Sequence, residues 1–361
     1  MNLSFYKDKK ILITGHTGFK GSWMSMLLLE LGAKVYGYAL EPPTNPSLFE
    51  LCRLQDKMNS YIGDIRDLEH LQKVFHEVQP EIVIHMAAQP LVRDSYKRPV
   101  YTYETNVMGT VNVLECVRNT DSVKSVINVT TDKVYKNIEQ NAGYVETDVL
   151  NGYDPYSNSK SCSELVTSSY INSFLREKGV AVSTVRAGNV IGGGDFAADR
   201  IIPDCVRAAI KGEDIIIRNP YSIRPFQHVI EPVAAYLMIA MEQWDDYGKC
   251  GSYNIGPKDE DCFETGKLAD LFCDVWQQMC GSSIHWINKH DGGPHEAGFL
   301  KLNCKKAYEV FGWEPKWNMK TNMEKIVSFT KVYTENGDVG AEVERQIKEY
   351  LDCIHIEGIY D

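Results

Sequence analysis

The residues best equipped for chemistry are Thr131, Asp132 and Lys133, at the end of an apolar run, and the pair Tyr156 and Lys160. A Tyr four residues before a Lys places both on one face of a helix. A phenol with an ordinary pKa of about 10 is a poor base at neutral pH. A neighbouring ammonium favours the phenolate, so the pair offers a base for the proton of an alcohol, tuned by Lys160. Oxidation of an alcohol needs little beyond Tyr156, Lys160 and a hydroxyl such as that of Thr131. Asp132 and Lys133 add an acid and a base at the same strand end. That surplus points to abstraction of a proton beside a carbonyl, with loss of a leaving group. As a base Lys133 has to act as the neutral amine, a form that burial or nearby cations favour.

The elements that must hold these groups alternate. Strands are expected at 10–14, 33–40, 81–86, 125–129 and 180–185, and helices at 22–31, 67–78, 107–118 and 159–178. Such alternation specifies an α/β fold with a doubly wound parallel Rossmann sheet and helices on both faces. Beyond Arg186 the pattern loosens. A glycine run at 192–194 is followed by a helix at 201–211, a strand at 214–217, a helix within 227–244 and a strand end at 253–256. Residues 1–187, with 229–255 returning to them, are expected to form the cofactor domain. Residues 188–228 and 256–361 are expected to form a smaller C-terminal substrate lobe.

Gly15, Gly18 and Gly21 follow the first strand and open the first helix. In that position glycines permit a tight turn and close backbone approach to a pyrophosphate, which the helix N-terminus favours. Ala39 occupies the usual place of the acid that binds the adenosine ribose, and Glu41 is the substitute within reach. No Arg stands at this strand end to meet a 2′-phosphate, so NAD is expected rather than NADP. Asp64, near the adenine edge, follows a further strand between those at 33–40 and 81–86, and the strand at 81–86 ends in the small residues Ala87 and Ala88.

A net charge of -11 excludes a general nucleic-acid binder, whose footprint is basic. It leaves room for an anionic small substrate held by local cations such as Arg186, Arg200 and Arg224. Ten cysteines without a C-x-x-C pair suggest a reducing compartment and no metal site. With no signal-peptide core and no apolar run of membrane-spanning length, the expectation is a cytoplasmic protein without a membrane partner.

Several longer motifs sharpen this reading: His16 to Trp23, Thr131-Asp132-Lys133, Gly193-Gly194-Asp195 leading to Asp199-Arg200-Ile201-Ile202-Pro203-Asp204, Arg224 to Pro232, and His295-Glu296-Ala297. Through them nearly the whole chain resembles the nucleotide-sugar 4,6-dehydratases of the extended short-chain dehydrogenase/reductase superfamily. Other branches of that family carry Asp-Glu where this chain has Asp132-Lys133, and the Lys resembles the CDP-sugar branch. The resemblance implies NAD held by Gly15, Thr17, Gly18, Phe19, Lys20, Gly21, Asp64, Ile65, Ala87, Ala88, Gln89, Tyr156 and Lys160. It implies CDP-glucose as substrate, contacted by Ser95, Asn189, Arg200, Arg224, His228 and Glu296. Tyr156 would take the 4-hydroxyl proton, Thr131 would bond the developing ketone, Lys133 would take the C5 proton, and Asp132 would protonate the leaving 6-hydroxyl. A homodimer or higher homo-oligomer is implied, built on helices around 101–117 and 157–176, and a place in deoxysugar biosynthesis such as that of lipopolysaccharide O-antigen.

Two alternatives stay open at the level of sequence. A nucleotide-sugar epimerase or reductase would use the same scaffold, but has no need of an acid for a leaving hydroxyl. A cofactor-binding regulatory protein with a dead site would not need Thr131, Tyr156 and Lys160 intact.

Overall fold

The structure, a computed structural model, describes residues 3–140, 142–289 and 299–354. Twelve strands occur among the described residues: β1 Lys10–Thr14, β2 Lys34–Ala39, β3 Asn59–Ile62, β4 Ile82–His85, β5 Ser125–Val129, β6 Ala181–Ala187, β7 Asn189–Ile191, β8 Ile215–Ile217, β9 Ile223–His228, β10 Ser252–Ile255, β11 Cys262–Glu264 and β12 Trp286–Asn288. Seven form one parallel sheet in the order β10-β6-β5-β4-β1-β2-β3. The order reverses direction between β1 and β4, which places a crevice beyond the carboxyl ends of those strands.

The central strands β4, β5 and β6 are buried along their whole length; β4 and β5 are rich in Val and Ile, while the buried polar residues of β6, Ser183, Thr184 and Arg186, are hydrogen-bonded. One face of the sheet is covered by the helices Phe19–Glu30, Ile230–Asp245 and Val339–Cys353, with Trp23, Tyr236 and Ile347 in the shared core. The other face carries Leu68–Val78, Gly109–Arg118 and Pro155–Tyr170, packed around Leu12, Phe75 and Val126. After β6 the chain builds a three-stranded sheet in the order β11-β9-β7 and a two-stranded β12-β8. These pack with the helices Ile201–Lys211, Thr265–Cys280 and Met319–Thr334 around Phe272 and Met323. Between these pieces, Ile230–Asp245 and β10 rejoin the large sheet.

Two boundaries differ from expectation near the chemistry. The helix expected from Ser159 begins at Pro155, because Asp154 caps it by accepting from the Ser157 N–H and Pro155 fits the first helical position. The first helix starts at Phe19 instead of Ser22, so its N-terminus opens directly from the glycine loop. No described helix is long and apolar enough to cross a membrane.

Candidate active site

A cavity of about 1410 Å³ lies over the carboxyl ends of β1, β2, β4 and β5 and continues under the segments 189–204 and 216–226. Its floor at one end is the glycine loop. Gly15 has φ +82°, and a Cβ there would stand 2.8 Å from the Ala87 nitrogen; one on Gly21 would stand 2.1 Å from the Gly15 carbonyl oxygen. Only glycine allows helix, loop and β4 end to meet so closely. Gly18 caps the helix Phe19–Glu30 without any side-chain hydrogen bond, which leaves first-turn N–H groups for an anion. Thr17 donates its hydroxyl to the Leu40 carbonyl, pinning the loop to the end of β2. Ala39, Glu41, Asp64, Ile65, Ala87 and Ala88 continue the wall. Asp64 is engaged by Arg66 at 2.7 Å, and that hydrogen bond holds its carboxyl below the ordinary range. The run of uncapped helix N-terminus, small residues and acids fits an extended dinucleotide.

At the other end stand Thr131, Asp132, Lys133, Tyr156 and Lys160, all lining the same cavity. Thr131 is extended, then Asp132–Val134 turn through one short helical turn. The Thr131 hydroxyl donates to Asp132 Oδ1 at 2.9 Å and contacts the Tyr156 hydroxyl. Asp132 is wholly buried and its Oδ2 has no hydrogen-bond partner among the described residues. Burial raises its carboxyl pKa, against the opposing pull of Lys133, Thr131 and Arg224. A carboxyl that keeps its proton is suited to act as an acid. Lys133 is half-buried beside it.

The expected electrostatics of Tyr156 and Lys160 need correction. Lys160 donates to the Val129 carbonyl at 3.0 Å, and burial lowers its pKa to about 8, with Glu164 resisting. Tyr156 is not lowered. Burial pushes it to about 12, opposed by the Thr131 hydrogen bond and Arg200. Helix spacing put the two on one face, but desolvation governs the Tyr156 hydroxyl, and the influences that oppose it come from Thr131 and Arg200. Lys20 enters from the glycine loop and is pulled to about 7 by burial, then by the cations of Lys160 and Arg200, with Asp132 opposing.

In the smaller lobe, Asn189, Arg200 and Arg224 line the cavity. Arg200 is oriented by Asp195 at 2.8 Å. Arg218, which the sequence did not single out, also faces the cavity and pairs with Asp199 at 2.6 Å.

Four expected contacts do not reach the site. Ser95 is fully buried and donates to the Val92 carbonyl within its own helical turn. The Gln89 amide is spent on Leu91 and Thr102. His228 is buried between the rings of Trp23 and Trp317, at 5.3 and 5.0 Å, and burial drives its pKa to about 3. Arg186, expected as an anion-binding cation, is buried in an ion pair with Glu164. Glu296 lies outside the described residues. Glu164 was missed, although it extends the spacing of Tyr156 and Lys160 by one more helical turn.

The sequence profile of the family described as GDP-mannose 4,6 dehydratase matches residues 12–326. The chain is 48% identical over 356 residues to a CDP-glucose 4,6-dehydratase of Salmonella typhimurium, covering 97% of this chain and 98% of that one. Among solved structures, a UDP-glucose 4-epimerase of Thermus thermophilus in complex with NAD superposes with a TM-score of 0.77 at 23% identity, over 89% of this chain and 98% of that one. A dTDP-glucose 4,6-dehydratase of Bacillus anthracis in complex with NAD gives 0.75 at 22% identity, over 92% and 99%. These two likenesses establish the shared fold.

Proposed function

As a member of the family described as GDP-mannose 4,6 dehydratase, this chain is a nucleotide-sugar dehydratase, and we propose that it converts CDP-D-glucose to CDP-4-keto-6-deoxy-D-glucose and water with NAD as its cofactor. The observation that carries the reading is the buried Asp132 next to Lys133 in the same cavity as Tyr156 and Lys160. An alcohol oxidation alone leaves both without a task.

NAD would be held by Gly15, Thr17, Gly18, Phe19, Lys20, Gly21, Asp64, Ile65, Ala87, Ala88, Tyr156 and Lys160, which line the cavity from the glycine loop at one end to the catalytic groups at the other. The chemistry it supplies when bound is a hydride acceptor toward C4 and a hydride donor toward C6. Tyr156 takes the 4-hydroxyl proton as the phenolate, a form that the nicotinamide cation of bound NAD would have to favour against its burial, and Thr131 bonds the oxygen as it becomes a ketone. The ketone acidifies C5, whose proton Lys133 accepts and returns to C5 when C6 is reduced. Asp132 gives its proton to the departing 6-hydroxyl. Asn189, Arg200 and Arg224 hold the diphosphate, for which a guanidinium fork is suited. Residues 1–187 and 229–255 serve as the cofactor domain and 188–228 with most of 256–361 as the substrate lobe. The helix Val339–Cys353, expected in the lobe, instead packs with Phe19–Glu30 against the large sheet and so belongs with the cofactor domain.

We further propose a homodimer. Val100, Met108, Leu165 and Phe174 expose apolar side chains on neighbouring helices of one sheet face, a patch that a second copy would cover. Ten free thiols support a reducing, cytoplasmic setting, where the keto-deoxysugar would feed deoxysugar biosynthesis. The test is incubation of the protein with NAD and, in parallel, CDP-, dTDP- and GDP-hexoses. Loss of one water by mass is expected with CDP-glucose. Turnover of only the dTDP- or GDP-sugar would overturn the substrate assignment.

A further inference from the structure

Behind the cavity lies a buried polar cluster that the reaction as described does not use. Glu164 and Arg186 are both nearly inaccessible and meet through two parallel bonds of 2.9 Å, Nε to Oε1 and Nη2 to Oε2. The same carboxylate accepts from Thr130 at 2.5 Å and from Thr184 at 2.6 Å. The Arg186 Nη1 donates to the Tyr135 hydroxyl at 2.9 Å and to the Glu146 carbonyl at 3.0 Å. Tyr135 donates its own hydroxyl to the Asn254 Oδ1 at 2.6 Å, and its ring lies under the guanidinium at 5.1 Å.

The two residues so held, Thr130 and Tyr135, bracket Thr131-Asp132-Lys133-Val134 on both sides. Glu164 is also one helical turn beyond Lys160. We propose that the Glu164–Arg186 pair is a positioning device, which clamps both ends of the turn carrying Asp132 and Lys133 and sets a fixed negative charge beside Lys160. Neither residue touches the cavity. A desolvated bidentate pair has one geometry, which suits it to fix a turn whose two reacting groups must sit on adjacent carbons. The charged and titratable groups facing Lys160 are Glu164 on its own helix, Lys20 from the glycine loop and His85 from β4. His85 is held neutral by burial, so Glu164 is the one that resists loss of the Lys160 proton.

This inference rests on the dehydratase reading only for its second readout. The test uses full-length protein with Glu164→Gln and Arg186→Met together, since replacing both partners avoids a buried unpaired charge. Arg186→Lys is the companion, because one ammonium keeps the charge partner of Glu164 but cannot also reach Tyr135. Folding is checked by circular dichroism and unfolding midpoint. The first readout is NAD affinity against pH, which needs no sugar. NAD affinity is expected to carry a limb from loss of the Lys160 proton, and that limb should move down by about one unit or more in the double variant and stay in place in Arg186→Lys. The second is the ratio of water loss to C4 oxidation with CDP-glucose, expected to fall at least about tenfold in both variants. A folded double variant with an unmoved limb overturns the charge role, and Arg186→Lys with an unchanged ratio overturns the clamp. If wild-type protein makes no keto sugar, the functional reading fails, and the NAD limb alone decides this one.

Discussion

Glu231 offers a quantitative check on how burial governs this molecule. It opens the helix Ile230–Asp245 and is completely inaccessible. Its Oε1 accepts from the Lys316 and Trp317 N–H groups at 2.9 and 2.7 Å, and its Oε2 from the Tyr350 hydroxyl at 2.6 Å. It thereby ties the turn before Met319 and the C-terminal helix to the sheet. Burial raises its pKa from 4.5 to about 7 despite these three donors. A carboxyl with a raised native pKa binds its proton more tightly folded than unfolded. Its favourable contribution is complete below pH 4.5, declines as pH rises, and is gone above pH 7. The span is worth about 3 kcal/mol. Glu231→Gln supplies a neutral side chain of the same shape, with its oxygen toward the two N–H groups and its amide toward the Tyr350 oxygen. Urea unfolding at several pH values between 5 and 8 should show wild-type protein losing about 3 kcal/mol more than the variant over that range. The variant should be the more stable protein at the upper end. Parallel pH profiles, or a variant weaker than wild type at pH 8, would refute the reasoning that desolvation outweighs hydrogen bonding at this site.

Other outcomes concern function and assembly. Asp132→Asn and Lys133→Met should each retain NAD binding and C4 oxidation, so that near-ultraviolet absorbance of reduced nicotinamide accumulates, while water loss falls by about 10²–10⁴-fold; wild-type water loss in Lys133→Met would remove it as the C5 base. Gly21→Ala should abolish NAD binding, measured by calorimetry, because its Cβ would stand 2.1 Å from the Gly15 oxygen; retained affinity would show that the loop can open. Leu165→Glu, on the exposed apolar helix face, should convert a dimer to a monomer in sedimentation velocity, and an unchanged sedimentation coefficient would move the interface elsewhere.

Much of the scaffold was legible because its signals are local. The strand Ser125–Val129 and the helix Ile201–Lys211 occur with the boundaries that their apolar pattern implies. The start of the Tyr156 helix was misread, since Asp154 and Pro155 look like a turn but act as cap and first helical residue. The chemistry-bearing positions Thr131, Asp132, Lys133, Tyr156 and Lys160 share one cavity, as their places at a strand end and on one helix face suggested. Side chains farther from these signals were less readable. Ser95, Gln89 and His228 belong to polar and aromatic packing, and nothing in their spacing distinguishes that use from ligand binding.

The amino-acid order by itself determined the alternation of strands and helices, the glycine turn and the adjacency of acid and base at Asp132-Lys133. These follow from steric and periodic rules within a few residues. Only the tertiary structure decided that Arg186 is spent on Glu164, that Tyr156 rises instead of falling, and that His228 is sealed between Trp23 and Trp317. Each of those depends on desolvation, which sums contributions from segments far apart in the chain and so has no signature in any one of them.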